Sequence, residues 1–165
     1  LLQSVDDYQI FMKALRNVTP VPLEMQEVDG GAKGYFSPVE GRIVLRPGMS
    51  QVQTVKTLIH EIAHAKLHDP AKVLRSEQKA RREKEVEAES IAYVVCQHFG
   101  IDTAEYSFGY VAGWSKGKDL PELRTSLDTI HSTAGEIIAA LENNCLERQS
   151  PTQPAPNKRH YEYQR

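Results

Sequence analysis

The chain has 165 residues, with 20 basic side chains against 22 acidic ones and a net charge of −2. That length suits one domain with a real core, and 40% hydrophobic with 25% charged residues excludes a wholly disordered chain. No apolar run reaches the ~18 residues of a membrane span, no leader-like segment opens the chain, and the near-zero charge argues against nucleic-acid binding by this segment.

The first residue is Leu1 rather than Met, so the expectation is a domain cut from a longer protein. Val5 to Leu15 reads as an amphipathic helix with Tyr8, Phe11, Met12 and Leu15 on one face, ended by Pro20 and Pro22. Leu23 to Val28, Ala32 to Ser37 and Arg42 to Leu45 read as strands separated by the turns Asp29-Gly30-Gly31 and Pro38-Val39-Glu40-Gly41. The economical arrangement is a small antiparallel sheet. Ser50 then caps a helix, with Gln53 three positions on in the capping-box place. Val52, Val55, Ile59, Ile62 and Ala63 form its apolar stripe, and Asp69-Pro70 stops it.

Lys72 to Lys84 mixes both charge signs without interleaved aromatics, which fits a solvated face better than a nucleic-acid patch. A second strong helix runs from about Gln78 to Phe99, with Val86, Ala88, Ile91, Ala92, Val95 and Phe99 inside and Gly100 as its stop. The connection from Ile101 to Lys118 holds Tyr106, Phe108, Tyr110 and Trp114, too aromatic for a plain linker. A last helix follows from Leu120 to about Leu146, with Leu123, Leu127, Ile130, Ala134, Ile137, Ile138 and Leu141 inward. Residues 149–165 carry three prolines and few aliphatics, and read as a flexible tail or linker after a domain spanning 1–148.

His60-Glu61-Ile62-Ala63-His64 is H-E-x-x-H on a helix. Positions i and i+4 share a face about one turn apart, so two imidazoles can grip one ion. Zinc suits nitrogen ligands, and three protein ligands leave a position open for water. Glu61, one residue on, points beside the ion and suits the role of catalytic base. A third ligand must come from elsewhere. Glu85 and Glu89 share a face of the next helix beside the small residues Ala88 and Ala92. Spacing favours Glu85 as the ligand, with Glu89 as its rival or as the acceptor of a ligand imidazole's free N–H. Glu87, rotated by about 200°, is expected to face solvent.

His68 shares the face of His64, but each turn rises ~5.4 Å, so three consecutive turns cannot all reach one ion. An exposed position, or one behind a ligand, fits it better. His98 and His131 stand alone, and neither Cys96 nor Cys145 has a metal-ligand partner at suitable spacing. Two cysteines make no disulfide framework and point to the cytoplasm. Tyr93, Tyr106 and Tyr110 are candidate oxyanion donors.

His60-Glu61-Ile62-Ala63-His64 followed by Glu85-x-x-x-Glu89 resembles the compact zincin metallopeptidase domains of the ImmA/IrrE type. It is also similar to the C-terminal metallopeptidase-like domain of ArdC-type antirestriction proteins. The resemblance covers Val5 to Phe99 in architecture. It implies an α+β, mostly helical zincin-like fold with a small antiparallel sheet before the H-E-x-x-H helix. It implies one Zn²⁺ on His60, His64 and Glu85, with Glu89 behind them and Glu61 catalytic. It further suggests that the strand Arg42 to Leu45 is an edge strand that pairs with an extended substrate. The expected function is hydrolysis of a peptide bond in a protein partner, within a larger protein of a mobile element or regulatory system. The alternative is a zinc-binding module whose catalysis is unused, serving antirestriction or a regulatory interaction.

Overall fold

The computed structural model describes residues 5–103 and 118–146. The aromatic stretch with Tyr106, Phe108, Tyr110 and Trp114, and the tail from 149 on with His160, lie outside the described residues.

Among the described residues, four α-helices and a three-stranded sheet make up the fold: α1 (Val5–Val18), β1 (Leu23–Met25), β2 (Gly34–Ser37), β3 (Arg42–Leu45), α2 (Gln51–Leu67), α3 (Arg81–His98) and α4 (Leu120–Leu146). The class is α+β, as the sequence implies. The sheet, however, is mixed. Its order is β1-β3-β2, with β1 parallel to β3 and β2 antiparallel to it. The chain crosses β3 between β1 and β2, so that both neighbours flank the last strand. Arg42 to Leu45 is therefore the central strand, and its backbone edges are both used. This overturns the expectation that it pairs with a substrate; β2 is the edge strand nearest α2. Ile43, Val44 and Leu45 have no exposed surface, as a central strand covered on its faces requires.

α2 is the central helix. Val55, Leu58, Ile59, Ile62 and Ala63 are fully buried, and each large aliphatic among them contributes ~1.5–3 kcal/mol relative to exposure. It packs against β2 and β3 on one side and α3 on the other, with α1 also touching it. Ser50 Oγ accepts from the Gln53 N–H and caps the helix as expected. The Gln53 side chain spans Lys33 and Thr57, its oxygen accepting from Lys33 Nζ at 3.0 Å and its amide donating to Thr57 Oγ1 at 2.8 Å.

α3 ends where the sequence places its stop. Gly100 has a φ of 69°, and the Ile101 N–H donates to the Cys96 carbonyl. α4 lies across α3 and α1, burying Ile130, Ala134, Ile137 and Leu141. Leu127, expected inside, is 57% exposed, one position off the face that meets α3 and α1.

Candidate metal centre

α2 and α3 run antiparallel, which sets Lys56 and His60 opposite Glu89 and brings His60 and His64 opposite Glu85. The Nε2 atoms of His60 and His64 are 3.0 Å apart. Glu85 Oε2 lies 3.4 Å from His60 Nε2, and Glu85 Oε1 lies 3.3 Å from His64 Nε2. Ligand atoms ~2.0–2.1 Å from a tetrahedral ion stand about 3.3 Å from one another. The three donor positions fit one metal ion by spacing and by chemistry, as their clustering within 4.8 Å of one another also shows.

The electrostatics of the site favour a cation. Close contact with the imidazoles of His60 and His64 holds Glu85 far below the usual carboxylate range, against the effect of burial. Burial disfavours a charged His60, yet Glu85 and Glu89, helped by the charge of Glu61, outweigh it and lift its pKa to about 9. A proton on His60 occupies the electrostatic role that a metal would fill.

Each imidazole is backed by a carboxylate system. His60 Nδ1 is 2.7 Å from Glu89 Oε1, a contact close in distance but without the alignment of a hydrogen bond. The other Glu89 oxygen lies 3.0 Å from Lys56 Nζ. Burial alone would raise the Glu89 pKa, and His60 and Lys56 more than reverse that. Behind His64 stands His68, with the two Nδ1 atoms 2.8 Å apart. His68 caps the C-terminus of α2 and turns inward, so its side chain is only 5% exposed. Burial lowers its pKa below the ordinary histidine value.

His68 Nε2 lies 2.8 Å from Glu87 Oε2, and Glu87 also pairs with Lys79. Glu87 has no exposed surface, which corrects the expectation that it faces solvent. The connection between α2 and α3 supplies Lys79 over that side of α3 and closes it. Burial pushes the Glu87 pKa up, and His68 and Lys79 bring it below the usual range.

Glu61 sits on the sheet side of α2 and is 7% exposed. Burial raises its pKa, opposed by the charges of His60 and His64 and by a hydrogen bond from the Phe36 backbone. That bond follows from the register. The Arg46 N–H donates to the Lys33 carbonyl, so Tyr35 and Ser37 bond to β3 while Gly34 and Phe36 turn their backbone groups outward. The outward Phe36 N–H is the one that meets Glu61.

An open cleft of about 1200 Å³ runs over these groups. One wall is Lys33 to Phe36 of the β2 segment, the floor is His60, Glu61 and His64, and Arg81, Arg82 and Lys84 line the α3 side. Among the described residues, Tyr35 is the tyrosine in that wall. Tyr93 is 42% exposed and does not line the cleft, while Tyr106 and Tyr110 lie outside the described residues. His131 is exposed, and His98 pairs with Glu142 at the surface.

A mostly helical α+β domain whose two central helices bring two imidazoles and a carboxylate to one point defines a metal-binding, metallopeptidase-like class. The family model of the IrrE N-terminal-like domain (Peptidase M78) matches residues 17–109, more than half of the chain, and the chain belongs to that family. It is also 38% identical over 109 residues to the uncharacterized protein pXO2-81 of Bacillus anthracis. That match takes in 66% of this chain and 18% of the Bacillus protein, so the chain spans under a fifth of that relative's length. No solved structure matches it. Among the described residues, no helix is long and apolar enough to cross a membrane.

Proposed function

We propose that the chain is a zinc-dependent metallopeptidase domain that hydrolyses a peptide bond in a polypeptide partner, acting in the cytoplasm. His60, His64 and Glu85 are the metal ligands in this reading, and Glu61 is the catalytic base. When bound, zinc supplies a Lewis acid that lowers the pKa of a water to about 7 and polarises a carbonyl.

The observation that carries the reading is the placement of Glu61. Its carboxylate is buried at the cleft floor, one residue from His60 and bonded by the Phe36 N–H of an edge strand. Glu85, Glu87 and Glu89 are each set against an imidazole of the histidine row, whereas Glu61 faces the cleft from the sheet side of α2, and its desolvation is costly unless it has a use there. As a base, Glu61 takes a proton from water and returns it to the leaving amine. Its raised pKa moves it toward the range in which proton transfer at neutral pH is efficient. The outward N–H and carbonyl of Gly34 and the carbonyl of Phe36 suit an extended peptide laid along β2, beside Glu61.

The Bacillus relative carries its matching segment within a much longer chain. This supports a place for the domain in a larger protein; a mobile element or regulatory system as its setting rests on the ArdC-type resemblance.

The experiment has two parts. Zinc is measured in the purified protein by elemental analysis, with a ratio of one expected per chain. A denatured-proteome peptide library is then incubated with the wild type and with Glu61→Gln. New cleavage ends are expected with the wild type, and their loss with full zinc retention in the variant. A wild-type protein that takes up no zinc, or a variant that cleaves as fast as the wild type, rejects the reading.

A further inference from the structure

We infer that His68 and Glu87 are positioning residues that fix the tautomer of His64, so that its Nε2 lone pair is presented to the metal site. The inference rests on the proposed metal role of His64, and it adds a reason why that nitrogen is free.

The chain of contacts has one direction. An ionised Glu87 carboxylate can only accept hydrogen bonds. Its Oε2 is 2.8 Å from His68 Nε2, so that nitrogen carries the proton. Lys79 on the other oxygen supplies the positive charge the buried carboxylate needs, so His68 can remain neutral with a single N–H. A neutral His68 with its proton on Nε2 offers a lone pair at Nδ1. That atom is 2.8 Å from His64 Nδ1, which must then be the donor. With its proton on Nδ1, His64 leaves Nε2 bare, and Nε2 is the atom that faces His60 Nε2 and Glu85 Oε1.

Neither residue is explained by packing. Glu87 is a fully buried carboxylate on a helix whose other buried residues include Val86, Ala88, Ile91 and Ala92. Apolar side chains in place of Glu87 and Lys79 together would stabilise the fold about as well. His60 has its own carboxylate in Glu89, directly against Nδ1. Among the described residues, His64 has no carboxylate within direct reach of Nδ1, and the imidazole of His68 spans the gap to Glu87.

Tautomers are read directly by long-range ¹H–¹⁵N correlation of the imidazole rings in chelator-treated, ¹⁵N-labelled protein. The expected wild-type result is protonated Nε2 on His68 and protonated Nδ1 on His64. The companion variant is Glu87→Met with Lys79→Met, which removes the carboxylate and the cation together and leaves no buried charge unpaired. In it the His64 ring should populate both tautomers, and zinc affinity, measured against a competing chelator, should fall 10- to 100-fold. A wild-type His64 protonated at Nε2 overturns the inference, as does a folded double variant with wild-type zinc affinity. A wild type that binds no zinc but shows the expected tautomers rejects the metal reading and leaves the hydrogen-bond chain standing. Should the double variant fail to fold, the wild-type spectrum decides the matter alone.

Discussion

Lys56 Nζ stands 3.0 Å from Glu89 Oε2 across the packed interface of α2 and α3, with the two side chains only 10% and 17% exposed. A lysine on the inward side of the central helix has to be explained by its partner. Glu89 is that partner, and it ties Lys56 to the imidazole of His60. Lys56→Met leaves the Glu89 charge with less compensation, and removing one member of a buried pair costs ~3–5 kcal/mol. The expected result is a large drop in melting temperature. Lys56→Met combined with Glu89→Gln should cost less than the sum of the single changes, because the two share one interaction. Additive costs in urea denaturation would sink the coupling.

Gly34 is where β2 touches both β3 and α2. A Cβ built there would lie 2.6 Å from Leu45 Cδ2, 2.8 Å from the Val44 carbonyl oxygen and 3.1 Å from Thr57 Cγ2. Leu45 can turn, but the Val44 carbonyl belongs to the central strand and cannot. Gly34→Ala therefore pushes the edge strand off its neighbours, at ~1–3 kcal/mol by analogy with overpacked cores. Phe36, two residues on, moves with it and loosens its bond to Glu61. The variant should melt earlier and cleave more slowly while retaining metal. An unchanged melting temperature contradicts the steric argument.

Some of these relationships were legible in the sequence. His60 and His64 are held at i and i+4 on one helix, and Glu85 with Glu89 likewise, so helical geometry alone places each pair. Which helices face each other was not set by spacing, yet small residues such as Ala88 and Ala92 marked the close side of α3. Rotation around an isolated helix turns Glu87 away from Glu85 but does not show what covers that far side. The loop carrying Lys79 does that. The order of the sheet is hidden for a related reason. Strand lengths and turns show that β2 and β3 form a hairpin, but whether β1 joins beside β2 or beyond β3 depends on where the segment from 26 to 33 crosses. That segment carries no periodic signal. The sequence leaves His68 either exposed or behind a ligand, and the inward turn at the end of α2 decides for the second.

Cys96 is fully buried on α3. Burial, with a smaller push from Glu89 and against a pull from Lys56, drives its thiol up to about 12. Thiolate is the reactive form. In a Cys145→Ser variant, the native protein should therefore react with iodoacetamide at pH 8 about 100-fold more slowly than the same protein in denaturant. The measurement is mass spectrometry of alkylated peptides over time. Equal rates in the native and unfolded protein would show that the α3 face opens to solvent.

The pH response of the metal-free protein follows from His60. Its pKa is lifted to about 9 when folded, against ~6.5 for free histidine. The folded state thus binds the proton more tightly than the unfolded chain. That stabilisation is complete below pH ~6.5 and is lost as pH rises through about 9. Glu85 contributes in the opposite sense. Its depressed pKa gives stability above ~4.3, which is lost as the pH falls below that value. In chelator, the melting temperature should decline from about pH 6.5 toward pH 9. With zinc in excess, the ion takes over the role of the His60 proton and the alkaline decline should disappear. Since proton and metal compete for the same nitrogen, zinc affinity should also weaken as the pH falls from about 9 toward 6. Scanning calorimetry at matched ionic strength reads the first effect and chelator competition the second. A chelated protein whose melting temperature is flat from pH 6.5 to 9 would show that Glu85 and Glu89 do not hold His60 as a cation.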